Sequence, residues 1–380
     1  MRICHAIFSS PWSPFSGGGQ LAVHAMAEAM QRRGHDVHVL YTGAPPPRPP
    51  ASYRVHWTPN RALGRYRLEA FEHAAKVAEL HRRLAFDVVV GHSVNAVLLP
   101  DVCRTLGVPF VYLFHGIWLP EPLTARSSLR RAVADLDYHL VRRALRRADE
   151  VVVFSEWSRR AVAASTGRAA DTIRLLRPGL EEAWRLTRRA PAETFRVVHW
   201  GRLAHPKNVD VLLAAFRVVR DRVPDATLTI LGTGPLAGSL AEAATSLGLE
   251  GAVTWTGKAS ADEIRAHCAT ARLAVFPTGM ESFGLSVAEA CAARVPVIAT
   301  RVGAVPELVE DGVTGTLVEP GDAAALARAM LACAASPEKA EAMARSPGEV
   351  VRGLDWGRFA DAFARAGGPA DVRSPAESFA

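Results

Sequence analysis

The sequence predicts an α/β protein built from two doubly wound, Rossmann-like domains. Its 380 residues suffice for two domains of ordinary size, each with its own core. Apolar runs of strand length alternate with amphipathic segments of helix length, a pattern typical of parallel βαβ units. The alternation restarts at Phe195 after a polar segment. The second half therefore repeats the architecture of the first.

The first domain begins with a β-loop-α-β unit. We predict a strand over Ile3–Phe8, a helix from about Gln20 to Arg33 and a second strand over Val37–Tyr41. The loop contains Gly17–Gly19, which lets the backbone approach a ligand without a Cβ clash, although a merely flexible loop is the alternative. Its spacing is not the G-x-G-x-x-G of dinucleotide sites. The other elements predicted in this half are helix 68–84, strand 87–91, helix 96–106, strand 110–114, helix 126–147, strand 150–154, helix 158–164 and strand 173–176.

His115 directly follows the strand predicted over 110–114. Ligands of open α/β sheets bind beyond the carboxyl ends of the strands. An imidazole in that position can bond a hydroxyl group or hold a reacting geometry. His5 lies inside the first strand, where we expect a structural role.

The second domain is organised around the stretch Pro277–Ala290. A buried strand over Leu273–Phe276 ends in a tight turn, and helical spacing begins at Gly284. A helix N-terminus offers free N–H groups and a positive dipole end, which suit phosphate. Glu281 in the turn and Glu289 in the helix could accept hydrogen bonds from nearby hydroxyls. The stretch predicts a nucleotide-sugar site, and a buried Glu289 bonded to backbone with an exposed Glu281 is the structural alternative.

Arg202 and Lys207 follow the first strand of the second domain. The planar fork of arginine and the compact charge of lysine both suit phosphate oxygens. Together they would stabilise the charge that grows as a sugar–phosphate bond breaks, and so replace a divalent metal. Two ordinary surface cations are the alternative. The other elements predicted in this half are strands 195–200, 226–231, 253–256 and 295–300, and helices 209–221, 261–269, 322–334 and 356–366, with one more ending near 247.

The overall charge and composition narrow the choice of partners and location. The net charge of +7 indicates an anionic ligand or surface, but no nucleic-acid motif is present and we predict no nucleic-acid partner. The five cysteines show no metal-ligand spacing, and we predict no metal. Without a signal peptide or a membrane-length apolar run, we expect a cytoplasmic protein. The basic helix Arg126–Arg147 either touches the inner face of an anionic membrane or packs on the sheet with a solvated edge.

Several motifs together resemble the retaining GT-B glycosyltransferases of family 4. The motifs that carry the resemblance are Gly201-Arg202-Leu203-x₃-Lys207-Asn208-Val209-Asp210, Gly232-x-Gly234-Pro235, Glu281-x₇-Glu289, 296–300, 306–315, the Gly17–Gly19 loop and 34–39. The resemblance covers nearly the whole chain. It implies GT-B architecture, in which two Rossmann-like domains face each other across a cleft.

The resemblance also assigns roles to the matching positions. Arg202 and Lys207 would bind the donor diphosphate, and the backbone at Gly18 would lie close to its β-phosphate. Glu281 would hold donor sugar hydroxyls, and Glu289 would take the ribose hydroxyls. The backbone around Phe283, Gly284 and Leu285 would contact sugar and phosphate, and His115 would contact the donor sugar. Gln20 and Trp118 are expected to bind the acceptor.

We divide the chain into an acceptor-side domain over 1–180, a linker over 181–194 and a nucleotide-sugar domain over 195–350. A helix within 351–366 is expected to pack back toward the first domain, and 367–380 is expected to be a flexible tail. The segments most suited to acceptor binding are 45–66 and 118–126. The oligomeric state is not predicted.

The function expected from these features is transfer of a hexosyl group from a nucleotide-diphosphate sugar to an acceptor hydroxyl, without metal. A UDP-sugar is the preferred donor, and retention of configuration rests on the resemblance alone. The acceptor is either a lipid or cell-envelope glycan or a small natural-product core. A sugar-nucleotide 2-epimerase of similar architecture and a phosphorylase-like or non-catalytic binder are the alternatives.

Overall fold

The computed structural model describes residues 1–13, 16–46, 49–59, 65–116 and 128–366. The chain divides into two compact units. Unit 1 contains residues 1–179 and 355–380, and unit 2 contains residues 180–354. The predicted tail 367–380 lies outside the described residues.

Unit 1 is built on a seven-stranded parallel sheet in the order β3-β2-β1-β4-β5-β6-β7. Its central strands are continuous apolar runs buried on both faces, as a parallel sheet covered by helices requires. Its elements are β1 (Arg2–Ile7), α1 (Gly18–Arg32), β2 (Asp36–Thr42), β3 (Arg54–Thr58), α2 (Arg65–Leu84), β4 (Val88–His92), α3 (Leu99–Leu106), β5 (Phe110–Phe114), α4 (Ser128–Arg147), β6 (Glu150–Val153), α5 (Glu156–Thr166), β7 (Ile173–Leu175) and, after unit 2, α15 (Trp356–Ala366).

Unit 2 contains a six-stranded parallel sheet in the order β10-β9-β8-β11-β12-β13. Helices pack on this sheet around a separate apolar core. Its elements are α6 (Glu182–Arg185), β8 (Arg196–Trp200), α7 (Val209–Arg222), β9 (Thr227–Leu231), α8 (Ala237–Ser246), β10 (Val253–Gly257), α9 (Ala261–Thr270), β11 (Leu273–Phe276), α10 (Leu285–Ala292), β12 (Val297–Thr300), α11 (Val305–Leu308), β13 (Thr316–Val318), α12 (Ala323–Ala335), α13 (Pro337–Ala344) and α14 (Glu349–Gly353).

The two sheets confirm the predicted fold class of two Rossmann-like units. In each sheet the chain first adds strands on one side and then returns to the other side of the first strand. This reversal falls between β1 and β4 in unit 1 and between β8 and β11 in unit 2. Such switch points open a crevice at the carboxyl ends of the two strands, where ligands of this fold class bind.

Several elements differ from the sequence prediction. Strand β3 lies within the segment 45–66, for which no strand was predicted, and most of its residues are only partly buried or exposed because it forms the edge of the sheet. The segment predicted as a linker over 181–194 begins with α6, whose Trp184 is buried in unit 2. The prediction also lacked β13, α11, α13 and α14, which are short and weakly periodic.

Helix α15 packs on α1 within unit 1. Arg33 at the end of α1 pairs with Asp361, and the guanidinium of Arg174 lies over the ring of Phe363, 5.5 Å from its centroid. No helix among the described residues is long and apolar enough to cross a membrane.

Candidate functional site

In unit 2 the loops after β8 and β11 flank the switch point of the sheet. A single turn of 3₁₀ helix, His205–Lys207, follows β8. The Thr278 hydroxyl and the Gly279 amide, both in the loop after β11, donate hydrogen bonds to the carbonyl of Pro206 at 2.6 and 2.8 Å. Two hydrogen bonds to one carbonyl therefore hold the loops together and position the side chains that they carry.

The two loops bring Lys207 and Glu281 into direct contact. Lys207 Nζ lies 2.6 Å from Glu281 Oε2, and both side chains are largely shielded from solvent. An ammonium group has three N–H donors, so two remain for a ligand after this bond. The sequence prediction named both residues, and the structure joins them as an ion pair.

Arg202 does not join this pair. Its side chain is exposed, and it makes no hydrogen bond or ion pair with any residue of the described part of the chain. It lies in the same loop as Lys207, two residues after the end of β8. Its guanidinium is therefore open to solvent on the same side of the sheet.

Two glycines beside Glu281 restrict the residue types that can stand there. Gly284 begins α10 with φ +96°, a left-handed conformation that favours glycine. A Cβ on Gly303, which has φ +54°, would overlap the carbonyl oxygen of Glu281. That carbonyl accepts a hydrogen bond from the amide of Ala304 at 3.0 Å. Phe283 is buried beneath the turn, and Leu285 is the first residue of α10.

Glu289 lies on α10 and contacts a different group. The indole Nε1–H of Trp200, at the end of β8, donates a hydrogen bond to its Oε2 at 2.8 Å. Trp200 stacks on Trp184 with a centroid distance of 6.1 Å, and Arg265 lies over the outer face of Trp184. Burial raises the pKa of Glu289 to about 7, and the hydrogen bond from Trp200 opposes this shift. The carboxyl group is therefore half ionised near neutral pH.

In unit 1 the loop after β1 leads into the N-terminus of α1. Gly18 is the first residue of α1 and is exposed. The Gln20 side chain holds the loop, because its Oε1 accepts from the amide of Gly17 at 3.0 Å and its Nε2 donates to the carbonyl of Phe8 at 3.1 Å. Trp118, the other residue expected to bind acceptor, lies outside the described residues.

His115 follows β5 as predicted and belongs to a row of three histidines. Its Nε2 lies 2.8 Å from Nδ1 of His92, and Nε2 of His92 lies 3.0 Å from Nδ1 of His5. His5 and His92 are fully buried, and His115 is partly buried. Burial lowers the pKa of all three imidazoles, to about 3 for His5, well below the ordinary value for His92, and to about 4 for His115. The row is therefore neutral at pH 7.

Sequence reasoning missed His92 and Trp200, which bond to two of the predicted site residues. His92 is the last residue of β4, so the strand-end argument that singled out His115 applies to it equally. Trp200 ends β8 in the same way. Nothing local in the sequence indicates which partner either side chain bonds.

Two family models match the chain and between them span most of it. The model described as Glycosyl transferases group 1 matches residues 181–346, and the model described as Glycosyltransferase Family 4 matches residues 16–184. A mannosyltransferase of Mycolicibacterium smegmatis, named as GDP-mannose-dependent alpha-(1-6)-phosphatidylinositol monomannoside mannosyltransferase, is 34% identical over 62% of this chain and 67% of its own. The chain belongs to the family 4 glycosyltransferases.

A second relative of this family 4 member matches over a greater length. The D-inositol 3-phosphate glycosyltransferase of an Arthrobacter species is 27% identical over 92% of this chain and 89% of its own.

Solved structures show the same fold. Anabaena HepE in complex with UDP and glucose covers 96% of this chain with a TM-score of 0.77 and 22% identity, over 99% of its own chain. A sucrose-phosphate synthase from Thermosynechococcus elongatus covers 96% with a TM-score of 0.79 and 22% identity, over 98% of its own chain. The GT-B assignment of the two parallel-sheet units follows.

Proposed function

We propose that this glycosyltransferase transfers a hexosyl group from a nucleotide-diphosphate sugar to an acceptor hydroxyl, with retention and without a metal. The observation that carries the proposal is the Lys207–Glu281 pair at the switch point of unit 2. One member of the pair suits a phosphate oxygen and the other suits a sugar hydroxyl. A ligand that offers both groups side by side is a sugar diphosphate.

The proposed roles in unit 2 follow from the charges of the side chains. Lys207 and the exposed Arg202 bind the donor diphosphate and stabilise the charge on the departing phosphate. Glu281 accepts hydrogen bonds from the donor sugar, and the N-terminus of α10 at Gly284 and Leu285 supplies backbone N–H groups. Glu289 accepts hydrogen bonds from the ribose hydroxyls.

Substitution of the two cations tests this proposal. Lys207→Ala and Arg202→Ala are each expected to lower kcat by about 10²-fold or more, because each removes a group that is needed most in the transition state. Lys339→Ala, at an exposed lysine of the same unit, is the matched control. Unchanged turnover in a folded Lys207→Ala protein, checked by its thermal melt, would contradict the assignment.

The nucleotide base is the first unknown. UDP-sugars are the donors preferred from the sequence, and the M. smegmatis relative is named as GDP-mannose-dependent, so both classes enter one screen. Thermal shift with UDP-glucose, UDP-GlcNAc, GDP-mannose and dTDP-glucose identifies the base that stabilises the chain. Incubation of UDP-GlcNAc alone should yield no UDP-ManNAc, and formation of that product would favour a 2-epimerase.

The acceptor that we propose carries an inositol phosphate. Two relatives are named for inositol-containing acceptors, and the net charge of this chain is +7, which suits an anionic acceptor. Transfer to D-inositol 3-phosphate and to phosphatidylinositol in mixed micelles distinguishes a free cyclitol from a lipid. Product NMR reports the anomeric configuration, and full activity after dialysis against EDTA is expected.

Helix α4 bears on the choice between a lipid and a free acceptor. Arg143 and Arg147 pair with Asp101, each at 2.7 Å, and Arg142 and Arg146 donate to the carbonyls of residues 165 and 166. These four guanidinium groups bond to partners within unit 1, which favours the alternative that this helix packs on the sheet and does not contact a membrane. Sedimentation of the protein with anionic liposomes would instead support membrane contact.

A further inference from the structure

In the row His5–His92–His115, the positions of the ring nitrogens determine in which direction the hydrogen bonds run. A neutral imidazole carries one N–H, so each of the two short N···N contacts needs one donor and one acceptor. Only two arrangements satisfy both contacts. Either every ring carries its hydrogen on Nδ1, or every ring carries it on Nε2.

The buried end of the row distinguishes these arrangements. Nε2 of His5 is fully buried and has no hydrogen-bond partner among the described residues. In the second arrangement this atom would be a buried N–H without an acceptor, which folded proteins strongly avoid. The first arrangement leaves only a lone pair there. His92 then donates from Nδ1 to Nε2 of His115.

At the outer end of the row, a bound ligand needs a hydrogen-bond donor on His115, whereas the buried end needs a lone pair on His5. Gly19 in the first turn of α1 is one neighbour of the His115 ring, and a Cβ at Gly19 would lie 3.9 Å from Nδ1 of His115; the ring of Phe154 packs edge-on against the same imidazole. The N–H groups at the start of a helix favour acceptor oxygens beside them. An acceptor oxygen bound there needs a donor on His115 rather than a lone pair.

We propose that His92 is a positioning residue that holds His115 in the Nδ1–H tautomer, so that His115 donates a neutral hydrogen bond to an oxygen of the bound sugar-nucleotide. This inference rests on the proposed function and on the contact between His115 and the donor sugar that the family resemblance implies. It makes His115 a fixed hydrogen-bond donor and not a general base. His5 supports His92 in the same way.

The backbone around His92 reinforces this orientation. Ser93, the next residue, has φ +64°, an uncommon conformation for a residue with a side chain. The hydroxyl of Tyr112 donates to the Ser93 carbonyl at 2.8 Å and holds the turn. The turn that follows His92 at the end of β4 is therefore held in place.

The first test is ¹⁵N NMR of histidine-labelled protein, with His115 assigned by its loss in His115→Asn. We expect a protonated Nδ1 and a bare Nε2 on His115 at pH 7. The Nε2–H tautomer would overturn the inference, and this measurement requires no activity.

The second test substitutes the positioning residue. His92→Phe removes the donor and is expected to lower kcat about tenfold or more while the KM for the donor changes less. His92→Asn restores an N–H near the position of Nδ1 and is expected to recover most of the activity. The matched control is His38→Phe, because His38 is buried and its Nδ1 makes a similar 2.8 Å contact with another imidazole that is not part of this row.

The outcomes distinguish the positioning role of His92 from the contact between His115 and the donor. If His92→Phe folds and retains full kcat while His115→Ala loses it, the positioning role is wrong and the donor contact stands. If His115→Ala retains full activity, the proposed donor contact falls, whatever tautomer the spectrum shows. Equal losses in His92→Phe and His92→Asn would indicate a packing role alone and would overturn the inference.

Discussion

The ionisation of Glu289 yields the most quantitative prediction. Burial raises its pKa from 4.5 to about 7. Because each pH unit corresponds to about 1.4 kcal/mol, ionising the carboxyl group in the folded protein costs about 3 kcal/mol more than in the unfolded chain. The folded state holds the proton more tightly, so this stabilising contribution is complete below pH 4.5 and is lost as the pH rises to about 7.

Glu289→Gln should remove this pH dependence. A glutamine is neutral at every pH and can still accept the hydrogen bond from Trp200. We therefore expect the variant to be more stable than the parent by up to about 3 kcal/mol at pH 8, and by much less at pH 5. Urea unfolding followed by tryptophan fluorescence measures the difference at both pH values.

The same ionisation should appear in donor binding. If the ribose hydroxyls need a carboxylate acceptor, only the ionised fraction of the protein binds well. That fraction rises about tenfold between pH 6 and pH 8, and so does the expected affinity. An intact nucleotide-sugar is the ligand to use in calorimetry, because its diphosphate has no titration in this range.

Glu250→Gln, at an exposed glutamate of the same unit, is the control for both measurements. It should follow the parent at each pH. The reasoning is refuted if the Glu289→Gln variant and the parent differ in unfolding free energy by the same amount at pH 5 and pH 8. A donor affinity that is constant between pH 6 and pH 8 would refute the ribose role.

Three further predictions concern neighbouring groups in unit 2. Trp200→Phe removes the hydrogen bond to Glu289, which stabilises the charged carboxylate by about 1.5–3 kcal/mol. The pH midpoint of donor affinity should therefore shift upward, and an unchanged midpoint in calorimetry would contradict this. Lys207→Arg should keep more activity than Lys207→Gln, because it retains the charge beside Glu281, and steady-state kinetics in which both variants are equally impaired would show that charge is not what matters. Gly303→Ala should lower stability by about 1–3 kcal/mol and reduce turnover through displacement of the Glu281 turn, whereas a parental melting temperature would show that the turn adapts.

The sequence predicted most of the strands because a buried strand depends on a local pattern, and the candidate site residues were chosen from the same local patterns. Buried parallel strands such as β5 and β11 are unbroken apolar runs, and a proline directly follows β11. Since ligands bind at the carboxyl ends of strands, residues such as His115 and Lys207 could be selected without knowing the order of strands in the sheet. Strand β3 was missed because an edge strand is short and partly polar.

The partners of the site residues could not be predicted in this way. Trp200 and Glu289 are 89 residues apart, and His92 and His115 are 23 apart. Which atoms meet depends on strand order and on how each loop turns, and no spacing in the sequence encodes either. Glu289 illustrates this limit, because its position on α10 was predicted and its burial was considered, but its indole partner was not foreseen.

The route of the chain through unit 1 has a consequence for engineering. The chain leaves this unit after Gly179 and returns at Asp355, and Gly179 packs so closely on Trp356 that a Cβ would overlap the backbone there. Within unit 2, Arg185 donates to the carbonyl of Leu354, so its two ends also meet. Unit 2 is thus an insertion with adjacent ends, the arrangement in which domain insertion is best tolerated. The second unit of a relative could be spliced in whole between Gly179 and Asp355, and every strand of the host sheet would remain uncut.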